Sequence, residues 1–353
     1  MTAPFRLYGA ELSPYSVKVR SYLRYKNIPF EWLERSQARQ EEFARYAKLP
    51  LAPVLVDADD NALQDSTPTI ETLEKQFAEP SITPDEPALA FIAALLEDYA
   101  DEWLNKAMFH YRWSYPDDQE RAASVETLYE GADAPEGIEE SVRTRMVARL
   151  HHVGSSSETA PVIEGSFTRL LALLEQLLGG RTYLFGARPS LADFGLAGQL
   201  TQLLSDPTPG AMLKAQAPNL VRWIDRMENP SAEGAFVTFD AVRGELADLL
   251  RAEVAGAYLA WMAANAAAVE DDAQGVSVEI AGETFTQKPQ RYAAKAFAEL
   301  KRKRAQTADD GLTALLEETG CDAYLAPSSI TAPEEEAGSE AEGDSGGDEA
   351  AED

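Results

Sequence analysis

The chain opens on Phe5-Arg6-Leu7-Tyr8, an alternation of apolar and polar positions with the period of a half-buried strand. A turn through Gly9 and Ala10 leads to Ser13-Pro14, which predicts a helix start: a hydroxyl to cap free N–H groups, then a ring preset to helical φ. Tyr15, Val19, Tyr22 and Leu23 recur at three- and four-residue spacing and give that helix one apolar face, with Asn27 closing it. Ile28–Trp32 predicts a second strand, Leu51–Asp57 a third entered through Pro53, and Ala62-Leu63 a short return strand. The polar run 33–50 fits a helix or a pair of turns, and Asp65-Ser66-Thr67 precede a helix expected over Pro68–Phe77. The three prolines of residues 79–87 mark a linker, after which the pattern turns helical.

Residues 88–113 contain neither Gly nor Pro and carry apolar groups at Phe91, Leu95, Tyr99, Trp103 and Leu104, the pattern of one long helix. Residues 114–160 read as an irregular insertion holding one helix, around Glu139–His152. Phe167–Leu178 is amphipathic, and Ser190 with Asp193 three residues later forms a capping-box variant before a helix rich in small residues. Pro218–Met227 continues the helical series, followed by an Ala-rich helix within 241–270 and an alternating hairpin over Val276–Ile280 and Thr284–Thr286. Further helices are expected from Pro289 and over Ala308–Thr319.

The formal net charge of −29 argues against nucleic acid, whose phosphates need a basic surface. Residues 331–353 hold ten of the acids and no base, so −19 stays on the rest of the chain; that tail cannot bury apolar surface and is expected to be disordered. The basic run Lys301–Arg304 suits a helix C-terminus and pairing with acidic neighbours. No apolar run is long enough to cross a bilayer, and residues 1–20 lack the order of a signal peptide, so a cytoplasmic location is expected. One cysteine, Cys321, excludes an intramolecular disulfide framework and a cysteine-based metal site, and is expected to be buried and inert. Three histidines without metal-ligand spacing give no metal site.

Strand–helix–strand, then strand–strand–helix, with SPYS after the first strand, Ala52-Pro53 before the third and Asp65-Ser66 before the last helix, resembles the N-terminal domain of the cytosolic glutathione transferases. The Ser-x-Ala-Asp box at 190–193 after Leu184-Phe185-Gly186 resembles the start of that family's central helix, and the likeness covers about 5–228. Residues 94–113 also resemble a bacterial subgroup of the family. The resemblance implies an α/β plus all-α architecture, a thioredoxin-like domain over 1–80 and an all-helical domain over 88–240; beyond the likeness, the residue pattern itself predicts an α+β extension over 241–330 packed on the helical domain, and then the acidic tail 331–353.

In function, the resemblance implies glutathione as co-substrate, no metal, a homodimer and a small electrophilic substrate. The backbone of Ala52, next to a cis Pro53, would pair with the cysteinyl part of glutathione, and Asp65 and Ser66 would hold its γ-glutamyl end. Ser13 aligns with the family's catalytic serine or cysteine and would stabilise the glutathione thiolate by hydrogen bonding; serine in place of cysteine favours conjugation or isomerisation over thiol–disulfide exchange. Tyr8 and Ser16 are competing hydroxyls, and a plain N-cap is the alternative role for Ser13. Lys48 lies where the family often places a group near the glycyl carboxylate. Tyr15, Phe109 and Trp113 are candidates for the substrate pocket, and His110 and Arg112 for polar roles at the cleft or the helix end. The unusual insertion and extension leave a second class open, a non-catalytic transferase-fold module for binding or assembly.

Overall fold

The computed structural model of the chain describes residues 4–128 and 136–326; the acidic tail and residues 129–135 of the expected insertion lie outside the described residues. The first domain runs β1 (Phe5–Gly9), α1 (Pro14–Tyr25), β2 (Phe30–Glu34), α2 (Gln40–Tyr46), β3 (Val54–Val56), β4 (Ala62–Gln64) and α3 (Ser66–Gln76). The sheet order is β2-β1-β3-β4, with β1 parallel to β2 and antiparallel to β3. Alternation sorts the strand residues onto two faces. Leu7 and Leu55 pack with Val19, Tyr22 and Leu23 of α1 and Ile70 and Leu73 of α3. Tyr8, Leu33, Val54 and Val56 pack on the other face with Phe43 of α2. This is the thioredoxin-like layout.

Helix α1 starts as its residues dictate: Ser13 Oγ accepts from the Ser16 N–H at 3.2 Å and Pro14 fills the first helical position. Helix α3 begins at Ser66, two residues before the proline expected to open it, because Pro68 is tolerated within a helix's first turn, where its missing N–H has no partner to lose.

The second part is helical. Helix α4 (Pro87–Tyr99) runs through a π-helical turn, Ala100–Leu104, into α5 (Asn105–Ser114). Next come α6 (Pro116–Thr127), α7 (Ile138–Val147), α8 (Ala160–Leu177), α9 (Leu191–Ser205), α10 (Pro207–Gln216) and α11 (Pro218–Met227). Helix α6 corrects the expectation of irregular chain there. Pro116 at its first position and Asp117 and Asp118 in its first turn are helix-start signals, and they outweigh the turn character of Tyr-Pro-Asp-Asp. Helix α9 is the buried centre, and its small residues let neighbours close in: a Cβ on Gly198 would stand 2.7 Å from the Pro14 carbonyl oxygen. Its capping box is complete, and the Asp193 carboxylate accepts from the Leu184 and Ser190 N–H groups and from Trp223 Nε1 at 2.8–3.0 Å.

The extension comprises α12 (Phe239–Leu249), a π-helical stretch Leu250–Leu259, α13 (Ala260–Glu270), the hairpin β5 (Val276–Ile280) and β6 (Glu283–Gln287), α14 (Arg291–Gln306), α15 (Asp310–Thr319) and α16 (Asp322–Leu325). Its apolar face joins the core of the helical body through Val254, Trp261, Phe285 and Leu315. It also reaches back to the first domain, where Lys303 pairs with Glu71 at 2.7 Å and Tyr292 meets Asp65. Cys321 is fully buried, and burial pushes its thiol up to about 11.

Candidate active site

A cleft of about 320 Å³ opens between the first domain and the helical body. One wall is the first domain's: Leu51, Ala52, Pro53, Gln64, Asp65 and Ser66, with Tyr15 from α1. The opposite wall is Asp101, Glu102, Asn105 and Lys106, from the π-helical turn and the start of α5. The extension closes the third side with Trp261, Gln287, Gln290 and Tyr292.

Each first-domain residue is held by something local. The Ala52–Pro53 peptide is cis. The loop before it is clamped by Gln64 at the end of β4, whose amide donates to the Leu49 and Leu51 carbonyls at 2.7 Å each. The same side chain accepts from the Lys48 and Leu49 N–H groups at 2.8 and 3.0 Å. Asp65 has φ of 82°, a conformation that L side chains avoid and that costs on the order of 1–3 kcal/mol. Ser66 is buried at the first position of α3, and Lys18 Nζ donates to its hydroxyl at 3.3 Å and to Thr67 Oγ1 at 3.1 Å.

Lys18 belongs to a buried network under this wall. Its ammonium pairs with Glu97 and, at 2.6 Å, with Asp101. Burial alone would lower its affinity for a proton; the two carboxylates overcome this and hold it well above the ordinary lysine range. Burial pushes Asp101 up to about 7, against the pull of Lys18. Tyr15 ties α1 to the same turn: its hydroxyl donates to the Asp101 carbonyl at 3.1 Å and accepts from Asn105 Nδ2 at 3.2 Å.

The cleft brings together Tyr15, Ala52, Pro53, Asp65 and Ser66 of the residues singled out by sequence. Ser13 stands at the N-cap of α1, two residues before Tyr15, and is not among the lining residues. The loop that carries it is anchored from the helical body. Arg112 donates to the Leu12 carbonyl, to Asp206 and to Gln202, each at 2.8 Å, and Gln202 donates to the Glu11 carbonyl at 2.9 Å.

Phe109 and Trp113 lie elsewhere, packed on each other near Leu12, Ala122 and Val142 in a satellite core rather than in the cleft wall. Tyr8 is on the far face of the sheet, donating to Glu42 at 2.7 Å, and Ser16 Oγ accepts from the Ala10 N–H at 3.3 Å. His110 is buried against Ser155 and Glu164, and Lys48 is exposed, with its backbone on Gln64. Gln64, Asn105, Lys106, Trp261 and Tyr292 join the cleft without being marked by any sequence motif. Only Gln64, directly before the Asp-Ser pair, carries a local signal.

The family model for the glutathione S-transferase N-terminal domain matches residues 7–81, and that for the C-terminal domain matches residues 135–226. The chain belongs to the glutathione transferase superfamily. Among curated proteins, this superfamily member is 26% identical over 228 residues to the isoprene-epoxide–glutathione S-transferase of Rhodococcus sp. (strain AD45), covering 62% of this chain and 92% of that protein. It is 23% identical over 244 residues to the probable glutathione S-transferase GSTU6 of Oryza sativa subsp. japonica, covering 67% and 89%. Among solved structures, a glutathione S-transferase of Methylobacterium radiotolerans in complex with glutathione sulfonate is 24% identical, with a TM-score of 0.43 over 65% of this chain and 92% of that one. The extension after residue 226, with Trp261, Gln287 and Tyr292, lies outside both family models, yet it builds one side of the transferase cleft. Among the described residues, no helix is long and apolar enough to cross a membrane, and no cluster of three or more His, Cys, Asp or Glu is placed to hold a metal.

Proposed function

We propose that this protein is a glutathione-dependent transferase in which Ser13 stabilises a glutathione thiolate for attack on an electrophilic, partly apolar substrate. The observation that carries this reading is Asp65, held at φ of 82° beside the first residue of α3 and in one cleft with Ala52 and Pro53. A strained acidic residue in an open cleft marks a place where position matters more than stability. Its carboxylate suits the ammonium of a γ-glutamyl group. The Ser66 hydroxyl and the free N–H groups at the start of α3 suit the neighbouring carboxylate. The Ala52 backbone supplies an edge on which the cysteinyl part can pair as an added strand.

The thiol has an ordinary pKa of about 8.5 and needs help to ionise at neutral pH. Ser13 Oγ uses a lone pair to accept from the Ser16 N–H, which leaves its own proton free to donate to sulfur. The helix N-terminus adds a favourable field. Glutathione calorimetry with pH–rate measurements tests this. Ser13→Ala should bind glutathione nearly as well as wild type but lose about 10²-fold in kcat at pH 6.5, the loss expected for one donor to a developing anion. A rate unchanged in that variant would leave Ser13 only its capping role, worth about 1 kcal/mol.

Tyr292 adds a component from the extension. Its hydroxyl donates to Asp65 Oδ2 at 2.5 Å. A carboxylate has room for further donors, so the phenol orients Asp65 ahead of ligand arrival. Tyr292→Phe should therefore weaken glutathione binding about 3- to 10-fold, the worth of one net hydrogen bond, with an almost unchanged Tm. Tighter binding would mean that Tyr292 competes with the ligand.

A further inference from the structure

Lys106, in the first turn of α5, stands in the cleft wall with 3% of its surface exposed. Its Nζ donates to Gln287 Oε1 at 2.8 Å and lies 3.7 Å from the ring centroid of Trp261. The rings of Trp103 and Phe285 stand 5.7 and 5.9 Å away. The buried lysine Lys18 has two carboxylates in contact, whereas among the described residues Lys106 has none within ion-pair distance. Glu102, one turn earlier and in the same wall, attracts it without touching it. One neutral acceptor leaves two of the three ammonium N–H bonds without a fixed partner.

This setting balances two charge states. Burial favours the neutral amine and pushes Lys106 down to about 7, while Glu102 favours the cation. The ring faces also favour the cation, since a desolvated ammonium over an indole is attracted to its electron-rich face. Several of the other groups that face the cleft have partners, although Asp101 Oδ1 and Asn105 Oδ1 are buried without one. Asp101 is paired with Lys18, Asp65 accepts from Tyr292, and the Tyr15 hydroxyl is held between the Asp101 carbonyl and Asn105. Burial, Asp98 and Asp101 push Glu102 up, to about 8, and burial and His151 lower His152 at the rim. Lys106 is the amine among them whose proton is free to move at neutral pH.

We propose that Lys106 is the proton donor of this cleft, acting on the oxygen of a substrate whose reacting carbon loses a C–O bond, with epoxides as the class. This rests on the glutathione reading above. The sulfur of the thiolate forms a bond to an epoxide carbon, and that carbon's bond to oxygen breaks with its electron pair going to oxygen. The Lys106 ammonium gives the resulting alkoxide a proton. The neutral amine is recharged from solvent, which has received the thiol proton earlier, so nothing else is consumed. Gln287 and the ring of Trp261 hold the amine in the cleft wall.

The test compares two co-substrates with glutathione: styrene oxide, whose leaving oxygen needs a proton, and 1-chloro-2,4-dinitrobenzene, whose leaving chloride does not. In the wild type, kcat on the epoxide should rise and then fall as pH increases, with the falling limb set by loss of the lysine proton; the halide rate should rise to a plateau. Lys106→Met should lower the epoxide-to-halide rate ratio by about 10²-fold or more, the range of general-acid effects. Lys106→Arg, which keeps the charge but holds its proton, should abolish the falling limb. The proposal is overturned by equal loss on both substrates in Lys106→Met, by identical wild-type pH profiles, or by a wild type that binds glutathione yet leaves the epoxide unreacted. Glutathione calorimetry alongside separates these cases, because no glutathione binding at all removes the underlying reading as well.

Discussion

Asp65→Asn is expected to weaken glutathione binding about 10- to 100-fold in a calorimetric titration while leaving Tm nearly where it was. Asparagine keeps the shape and is one of the residues that tolerate positive φ, so the backbone at 82° stays in place. The negative charge alone disappears, and a hydrogen bond between charged groups contributes about 1.5–3 kcal/mol, which converts to that range of affinity. The Tyr292 hydroxyl keeps an acceptor in the amide oxygen, so the contact from the extension survives. Asp65→Gly separates strain from charge. Glycine adopts φ of 82° without steric cost, so Tm should rise by a few degrees while glutathione binding falls as far as in Asp65→Asn. Stability and binding moving in opposite directions at one position is the signature of a residue kept for its ligand. Undiminished binding in both variants would remove Asp65 from the site.

The contrast between Asp65 and Lys106 explains how much of this site is legible in the sequence. Asp65, Ser66, Ala52 and Pro53 are legible because a strand, a turn and a helix start lie within a few residues of one another and position these groups locally. The first domain's element order comes from the same short-range signals, as does the capping box at Ser190 and Asp193. The far wall obeys a different rule. The pattern of residues 88–113 predicts one continuous helix, whereas a π-helical turn at Ala100–Leu104 interrupts it between α4 and α5. Asn105 and Lys106, in the first turn of α5, line the cleft, while Phe109 and Trp113, farther along the same helix, pack in the satellite core with Leu12, Ala122 and Val142. Nothing in the composition of Ala-Asp-Glu-Trp-Leu announces such a turn. Tyr292 and Trp261 are farther from reach, since their place depends on a chain that leaves the helical body, forms a hairpin and returns across the cleft. The basic run at 301–304 is legible only in kind: its composition predicts pairing with acids, and the partners are Glu299 for Arg302 and Glu71, in α3, for Lys303.

The second large effect is expected at Lys18, where the fold and the site share one cation. Lys18→Met should lower stability by about 3–5 kcal/mol, because removing one member of a buried ion-pair network leaves the others charged and without compensation. For a chain of this size that is a fall in Tm of about 4–7 °C. Lys18 and Glu97 are almost wholly buried, and the side chain of Asp101 is 13% exposed, so solvent cannot take the place of the lost ammonium. The pH dependence carries the sign of the cause. Without Lys18, burial acts unopposed on Asp101, which will hold its proton in the folded state to higher pH than in the unfolded chain. Stability is then lost as pH rises through the folded-state titration of Asp101, and the deficit of the variant should be smaller at pH 5 than at pH 8. A cavity alone would give the same deficit at both. The variant should also bind glutathione more weakly, since Lys18 donates to Ser66 and Thr67 in the first turn of α3 and holds the hydroxyl expected to meet the γ-glutamyl carboxylate. Calorimetric unfolding at the two pH values, with a glutathione titration at each, measures both effects on one sample. A pH-independent deficit with normal binding would reduce Lys18 to a filler of space between the domains. The expected coupling would mean that the same buried charge that joins α1 to the helical body also sets the geometry of the glutathione wall.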